Sequence, residues 1–417
     1  MTNEHKNYPA LIGAIAGDTI GSIYEFNNIK RTDFELLQPS MNYTDDSLMT
    51  LAVADWLLQR RYVKDSLYDD ERLLSDTMRR WAKQYPCPMG GYGGGFHRWL
   101  LSPSPKPYNS WGNGSAMRVS AVGYAANTME EAMELAKRSA EVTHNHPEGI
   151  KGAQATAAAI FLARTGCSKT EIRDYVEQHF GYDLHRTCNS IRPNYKFEES
   201  CQGTVPEAMV AFFDSRNFES AMRLAVSLGG DSDTLACITG GIAAAFYNDI
   251  PQNIVDFVTN NLPTDLFAVV NNFCTQYGYK TLVKPTRHRG DRITPNHIRS
   301  LKPNEVFVFG SNLAGAHGGG AARAALNHFG AIWGQGVGRQ GQSYAIPTMQ
   351  GGVETIKPFV DQFIEYAREN GQDRFLVTRI GCGIAGFTDE EIAPLFRDAV
   401  DVENICLPTE WWELLDK

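Results

Sequence analysis

From Pro9 to about Tyr279, apolar positions recur at helical spacing in long Ala-rich segments: DSLMTLAVADWLLQRR, MEEAMELAKRSAEV, GIKGAQATAAAIFLART and DTLACITGGIAAAFY. Their length and period predict helices, and strand-like alternation is nearly absent between them. Stretches rich in Gly, Pro and Asn separate these segments. The longest, CPMGGYGGGFHRWLLSPSPKPYNSWGNGS, exceeds what a connector needs, and long loops in a compact helical domain are where function concentrates.

The texture changes after Lys280. A charged stretch, KPTRHRGDR, leads into short apolar runs, EVFVFG, SYAIPT, RFLVTRIG and NICLP, each bounded by Gly, Pro or polar residues as buried strands are. Helical patterns, ARAALNHF, IKPFVDQFIEYAREN and DEEIAPLFRDAV, alternate with them, as in a three-layer α/β/α sandwich. The chain reads as multidomain: an all-α domain over 1–280, a linker over 281–295 and a smaller α/β domain over 296–417. Its 417 residues give each domain enough interior for a core. The C-terminal WWELL carries an aromatic pair, which packs against the sheet or offers a partner patch.

Charge and cysteine usage narrow the partners. The formal charge of −9, with no Lys/Arg block, argues against bulk nucleic-acid binding. The apolar start, ALIGAIAGD, is cut by Asp18 and lacks the basic flank and length of a signal peptide or membrane span, so a cytoplasmic protein without a membrane partner is expected. Eight cysteines stand singly with no CxxC pair; they are expected reduced, with Cys237 and Cys406 as buried, inert thiols.

Two acidic motifs, YTDDS at Tyr43–Ser47 and GGDSDT at Gly229–Thr234, each stand directly before a long Ala-rich segment. Taken singly, Thr44, Asp45 and Asp233 suit N-caps. Together, Asp45, Asp46, Asp231 and Asp233 with the hydroxyls of Thr44 and Thr234 form an all-oxygen set, and clustered carboxylates repel unless cations sit between them. Such donors suit Mg²⁺, with Mn²⁺ possible, and shared aspartates can hold two ions about 3.5–4 Å apart. In GAIAGDTIGSIYEF, Gly13, Gly17 and Gly21 share one helical face and permit close approach, and Glu25 follows as a free carboxylate. The loops GGYGGGF and SWGNGSAMR offer backbone amides to phosphate. In THNHPEG, His144 and His146 have no Cys or third His nearby, which favours a phosphate or capping role over zinc.

In the C-terminal part, VFVFGSNLAGAHGGGAARAAL and RFLVTRIGCGIAGFTDEEI each read as strand, Gly-rich loop and helix, with amides presented at the carboxyl end of a strand. Neither loop matches GxxxxGK[ST], which argues against a P-loop nucleotide triphosphatase.

In order, GDTIGSIYEF, YTDDS, GYGGGF, SWGNGSAMR, THNHPEG and GGDSDT resemble the ADP-ribosylglycohydrolase family, all-α proteins with a two-magnesium centre. The resemblance implies a hydrolase of the glycosidic bond between ADP-ribose and a modified acceptor, expected to be ADP-ribosyl-arginine on a protein. It implies metal binding by Thr44, Asp45, Asp46, Asp231, Asp233 and Thr234, and catalysis by Glu25, Asp45 and Asp46. It places Gly93, Gly94, Ser110, Trp111, Gly112, Asn113, Gly114 and His144 against the ligand. The C-terminal loops are similar to those of macro domains, which cradle ADP-ribose: Asn312, Gly318, Gly319 and Gly320 match the first, and Gly381 to Phe387 the second, with Gly383, Ile384, Ala385, Gly386 and Phe387 as ligand contacts. GDRIT echoes that family's entrance motif through Asp291, with one residue inserted. ADP-ribosylated protein, or another ADP-ribosylated acceptor, and ADP-ribose itself are the implied partners. The alternative is a non-catalytic ADP-ribose reader or an immunity protein against an ADP-ribosyltransferase toxin; the complete acidic set argues against it.

Overall fold

The structure, a computed structural model, describes residues 8–60, 67–282 and 292–415. Chain contacts divide it into two compact units, Met1–Pro285 and Thr286–Lys417. Asp291 lies outside the described residues.

Among its described residues the first unit contains helices and no strand, only the isolated bridges Thr44–Met89 and Gly112–Ser200. The four Ala-rich segments form the helices Asp45–Arg60, Met129–Glu141, Pro147–Arg164 and Ser232–Tyr247. The last is buried from Ser232 to Ala245, and the Ile12–Gly21 helix is buried along its whole length. Helices apolar on every side belong inside, and these two pack together at the centre of the unit. The packing depends on glycine: a Cβ on Gly13, Gly17 or Gly21 would overlap the backbone of Gly240, Ala236 and Asp233 respectively. The expected small-residue face therefore meets a neighbouring helix, and it sets the end of the first helix against the start of the last.

The second unit holds a five-stranded sheet in the order β2-β3-β1-β4-β5, with β1 Glu305–Ser311, β2 Gly338–Gln340, β3 Ser343–Pro347, β4 Arg374–Val377 and β5 Ile405–Cys406. β1 runs parallel to β3 and β4, β5 parallel to β4, and β2 antiparallel to β3. Alternation along β1 splits the interior. Val306 and Val308 join a core with Ile356, Val360 and Phe363 of the Val353–Glu369 helix, whereas Phe307 and Phe309 join another with Ala322 and Ala325 of the Gly320–His328 helix. Helices thus cover both faces, giving three layers.

Some elements depart from the pattern. DEEIAPLFRDAV yields one α-turn, Asp389–Ile392, and then a 3₁₀ segment, Ala393–Ala399, because Pro394 has no amide to continue the ladder. RFLVTRIG is extended only to Val377, and β2, with its glycine and two polar residues, carried no strand signal. Trp411 and Trp412 are buried, the first against Phe396 at 5.0 Å and the second donating from Nε1 to the Arg292 carbonyl at 3.0 Å, so WWELL is core and not a partner patch. No disulfide links any of the eight cysteines, and Cys237 and Cys406 are buried. Among the described residues no helix is long and apolar enough to cross a membrane.

Candidate functional site

Glycine packing decides where the acids meet. With Gly21 against Asp233, the turn Ser22–Tyr24 delivers Glu25 to the start of the Ser232–Tyr247 helix, where Glu25, Asp231 and Asp233 each place a carboxylate oxygen within 4.8 Å of the others. Asp45 and Asp46 project from the first turn of the Asp45–Arg60 helix into the same cleft, which Thr234 also lines. The capping alternative holds in part. Thr44 caps its helix by accepting from the Asp46 amide at 3.2 Å, but Asp45 and Asp233 stand within the first turns of their helices, and Asp231, at the N-cap of the second, makes no capping bond. Its Oδ2 instead accepts from Asn113 Nδ2 at 2.6 Å. Thr44 is fully buried, with its hydroxyl hydrogen given to Asp18 Oδ1 at 2.6 Å.

Asp18 is the residue that sequence reading missed, having served there only to interrupt an apolar stretch. It is completely buried and accepts from the amides of Thr44 and Ser47 at 2.9 and 3.1 Å and from both hydroxyls. A carboxylate on one helix thus caps the next and fixes the turn that presents Asp45 and Asp46.

Burial, and after it mutual repulsion, dominates the electrostatics. Burial and then the charges of Asp18 and neighbouring acids raise Asp45 and Asp46 well above the carboxylate range; burial and then Asp231 and Asp46 do the same for Asp233. Burial also raises Asp18 to about 6, and burial followed by the Asp231, Asp18 and Glu199 charges raises Glu25 to about 7. Asp46 Oδ2 and Asp233 Oδ1 are buried without a hydrogen-bond partner. Unpaired buried carboxylate oxygens are costly, so this oxygen-only donor set fits hard divalent cations, which would relieve both the repulsion and the missing bonds.

The cleft, about 800 Å³, is large enough for a nucleotide-sized ligand. Gly93 and Gly94, Ser110 to Gly114, and His144 line it, as does Arg118. Gly90 has φ +75°, and a Cβ there would lie 2.7 Å from Glu25 Oε2, so glycine makes room for that carboxylate. Arg118, buried, donates to Thr143 Oγ1 at 2.7 Å, and that hydroxyl lies 2.7 Å from His144 Nδ1. Burial holds His144 neutral, and its Nε2 lies beside Gly112 and Gly114. His146 turns away to cap the Pro147–Arg164 helix, accepting from the Glu148 amide at 3.1 Å. Phe26, Phe197, Glu198 and Glu199 also line the cleft. The stretch NYKFEES has no periodicity or motif that would have marked the last three.

In the second unit a smaller cleft, about 210 Å³, is lined by Asn312, Gly319, Gly320, Gly383, Ile384 and Ala385, together with Thr348 and Arg379. Gly318, Gly386 and Phe387 are not among its lining residues, and Phe387 packs against the adjoining core.

Known proteins share the first unit's sequence and fold. Residues 2–280 match the family described as ADP-ribosylglycohydrolase. The chain is 28% identical to mouse ADP-ribosylhydrolase ARH3, over 62% of this chain and 88% of that protein. It is 24% identical to ADP-ribosylarginine hydrolase Tri1 of Pseudomonas putida (strain GB-1), over 57% of this chain and 69% of that one. A solved structure titled "ADP-ribosylglycohydrolase-related protein complex" superposes with a TM-score of 0.51 at 25% identity, covering 66% of this chain and 99% of the other.

Proposed function

This chain belongs to the ADP-ribosylglycohydrolase family, matched over residues 2–280, and from that premise we propose how it works as a metal-dependent ADP-ribosyl hydrolase: two Mg²⁺ ions in the first unit, and arginine as the acceptor released. One observation carries the reading: carboxylates from three separate parts of the sequence converge on one cleft, two of them with partnerless buried oxygens. The non-catalytic reader or immunity protein is not favoured, since binding alone would not require the complete acidic set.

Asp45, Asp46, Asp231 and Asp233, with the remaining lone pairs of Thr44 and Thr234, hold the cations. When bound, these ions orient the distal ribose hydroxyls and acidify a water. Asn113 steadies Asp231 through its 2.6 Å hydrogen bond. The Gly93–Gly94 and Ser110–Gly114 loops, with the neutral His144 beside them, take the diphosphate and inner ribose, where backbone amides bind anions without adding charge. Water oxygen bonds to C1″ as Asp45 or Asp46 takes its proton; the bond from C1″ to the acceptor nitrogen breaks, and the electron pair leaves on nitrogen. Glu25, half-buried beside Asp231 and Asp233, is the acid that gives a proton to that nitrogen.

The second unit is proposed as a macro-like domain whose Gly-rich loops hold ADP-ribose and raise its concentration near the hydrolase site. Eight cysteines without a disulfide suit a reducing cytoplasmic compartment.

The test is release of ADP-ribose from arginine-ADP-ribosylated protein, with Mg²⁺ or EDTA, by wild type and by an Asp45→Ala/Asp46→Ala chain. Release that needs both metal and aspartates is expected. No release from arginine-, serine- or nucleobase-linked substrates, with ADP-ribose still bound, would end the enzymatic reading.

A further inference from the structure

Beside Glu25 the cleft wall carries two exposed aromatic rings and two further carboxylates, Phe26, Phe197, Glu198 and Glu199. Phe26 and Phe197 are 75% and 44% exposed, and their rings stack with centroids 6.0 Å apart and planes at 23°. Two phenyl rings left open to water beside a polar centre forgo burial that the fold could otherwise use. The backbone on either side of them is tied by hydrogen bonds. Lys30 Nζ donates to the Tyr195 carbonyl at 2.7 Å and to the Leu228 carbonyl, and Asn28 exchanges hydrogen bonds with Gly230 at 2.8 and 2.7 Å. At the other end of the Phe197 loop, the Asn113 amide donates to the Glu199 carbonyl at 2.7 Å and the Cys201 amide to the Trp111 carbonyl at 2.9 Å.

The same loop brings Glu198 and Glu199 to the cleft, and the Glu199 charge reaches both Glu25 and Asp231. Added negative charge there works against anion binding and against the acids of the centre. Aromatic faces next to a carboxylate suit a planar cation, which gains stacking and ion pairing together. A neutral alcohol would gain neither. Since Phe26 directly follows Glu25, this wall adjoins the carboxyl that faces the departing group.

We propose that Phe26, Phe197 and Glu199 form the acceptor subsite, gripping the guanidinium of an ADP-ribosylated arginine as it leaves. The inference rests on the hydrolase reading above and assigns its specificity to three residues outside the metal centre.

The test uses the full chain, with steady-state kinetics on arginine-linked and serine-linked ADP-ribosyl peptides and calorimetry with ADP-ribose. In Phe26→Ala/Phe197→Ala and in Glu199→Gln, the KM for the arginine-linked peptide is expected to rise about tenfold. The preference for arginine over serine should fall by the same factor, with ADP-ribose affinity retained. Equal losses on both peptides, or ADP-ribose affinity falling in step, would overturn the proposal; the latter would assign the rings to the adenine. Wild-type release from serine alone sinks this subsite but keeps the hydrolase, whereas release from neither peptide removes both.

Discussion

Asp18 and Thr44 are joined twice: the Thr44 amide and hydroxyl donate to the two oxygens of the buried Asp18 carboxylate at 2.9 and 2.6 Å. The pairing makes an acid of the first helix the cap of the second, and the acids Asp45 and Asp46 begin where that cap ends. An amide at position 18 turns a donor toward groups that are themselves donors. Asp18→Asn should therefore cost about 1–3 kcal/mol of stability and weaken divalent-cation binding more than tenfold. Calorimetric titration with Mn²⁺ alongside chemical denaturation checks this. Wild-type cation affinity in a folded Asp18→Asn chain would show that the cap does not position the acids.

Gly17 should be the least replaceable residue of the first helix, because a Cβ there would overlap the Ala236 carbonyl. Gly17→Ala is expected to cost about 1–3 kcal/mol by overpacking. It should also reduce kcat, since pushing the two helices apart moves Glu25 from Asp231 and Asp233. Gly371, in the second unit, has nothing within 4 Å of such a Cβ and serves as the control. A Gly17→Ala chain with normal denaturation and normal kcat would mean that this contact does not set the site.

Some of this was legible in the chain and some was not, for physical reasons. The long helices were legible because burial imposes their period, and Gly13, Gly17 and Gly21 were legible because a helical repeat puts them on one face. The acidic motifs showed themselves by their clustering before helices. Asp18 did not, since its function is a bond to a turn 26 residues away, which no local pattern encodes. Phe197 and Glu199 were hidden for the same reason, in a loop whose shape is set by Lys30 and Asn113. The short strand β2 is held by pairing with β3, and propensity alone does not mark it.

The second unit yields a stoichiometry prediction. If its Gly-rich loops hold ADP-ribose, the full chain binds two equivalents, one per unit. Gly319→Trp, filling the cleft that Gly319, Gly320 and Ile384 line, should remove one equivalent by calorimetry and leave the hydrolase rate at saturating substrate unchanged. A single equivalent in the wild-type chain would remove the second unit as an ADP-ribose site.

The raised carboxyls make stability depend on pH and on cations in opposite directions. A carboxyl whose folded pKa exceeds its unfolded value binds its proton more tightly in the folded state. It therefore costs stability above the unfolded carboxylate range, and the cost fades as pH falls through the raised values, about 6 for Asp18 and about 7 for Glu25. In EDTA, the contribution of this cluster to Tm should be more favourable at about pH 5.5 than at about pH 7.5. Cations compete with the same protons, so the Tm gain from millimolar Mg²⁺ should be larger at the higher pH. In Asp45→Asn/Asp46→Asn both effects should shrink together, because both arise from the same crowding of charge. Thermal melts at the two pH values, with and without Mg²⁺, read all of this; a Mg²⁺ gain independent of pH would mean that the ions do not bind where the protons do.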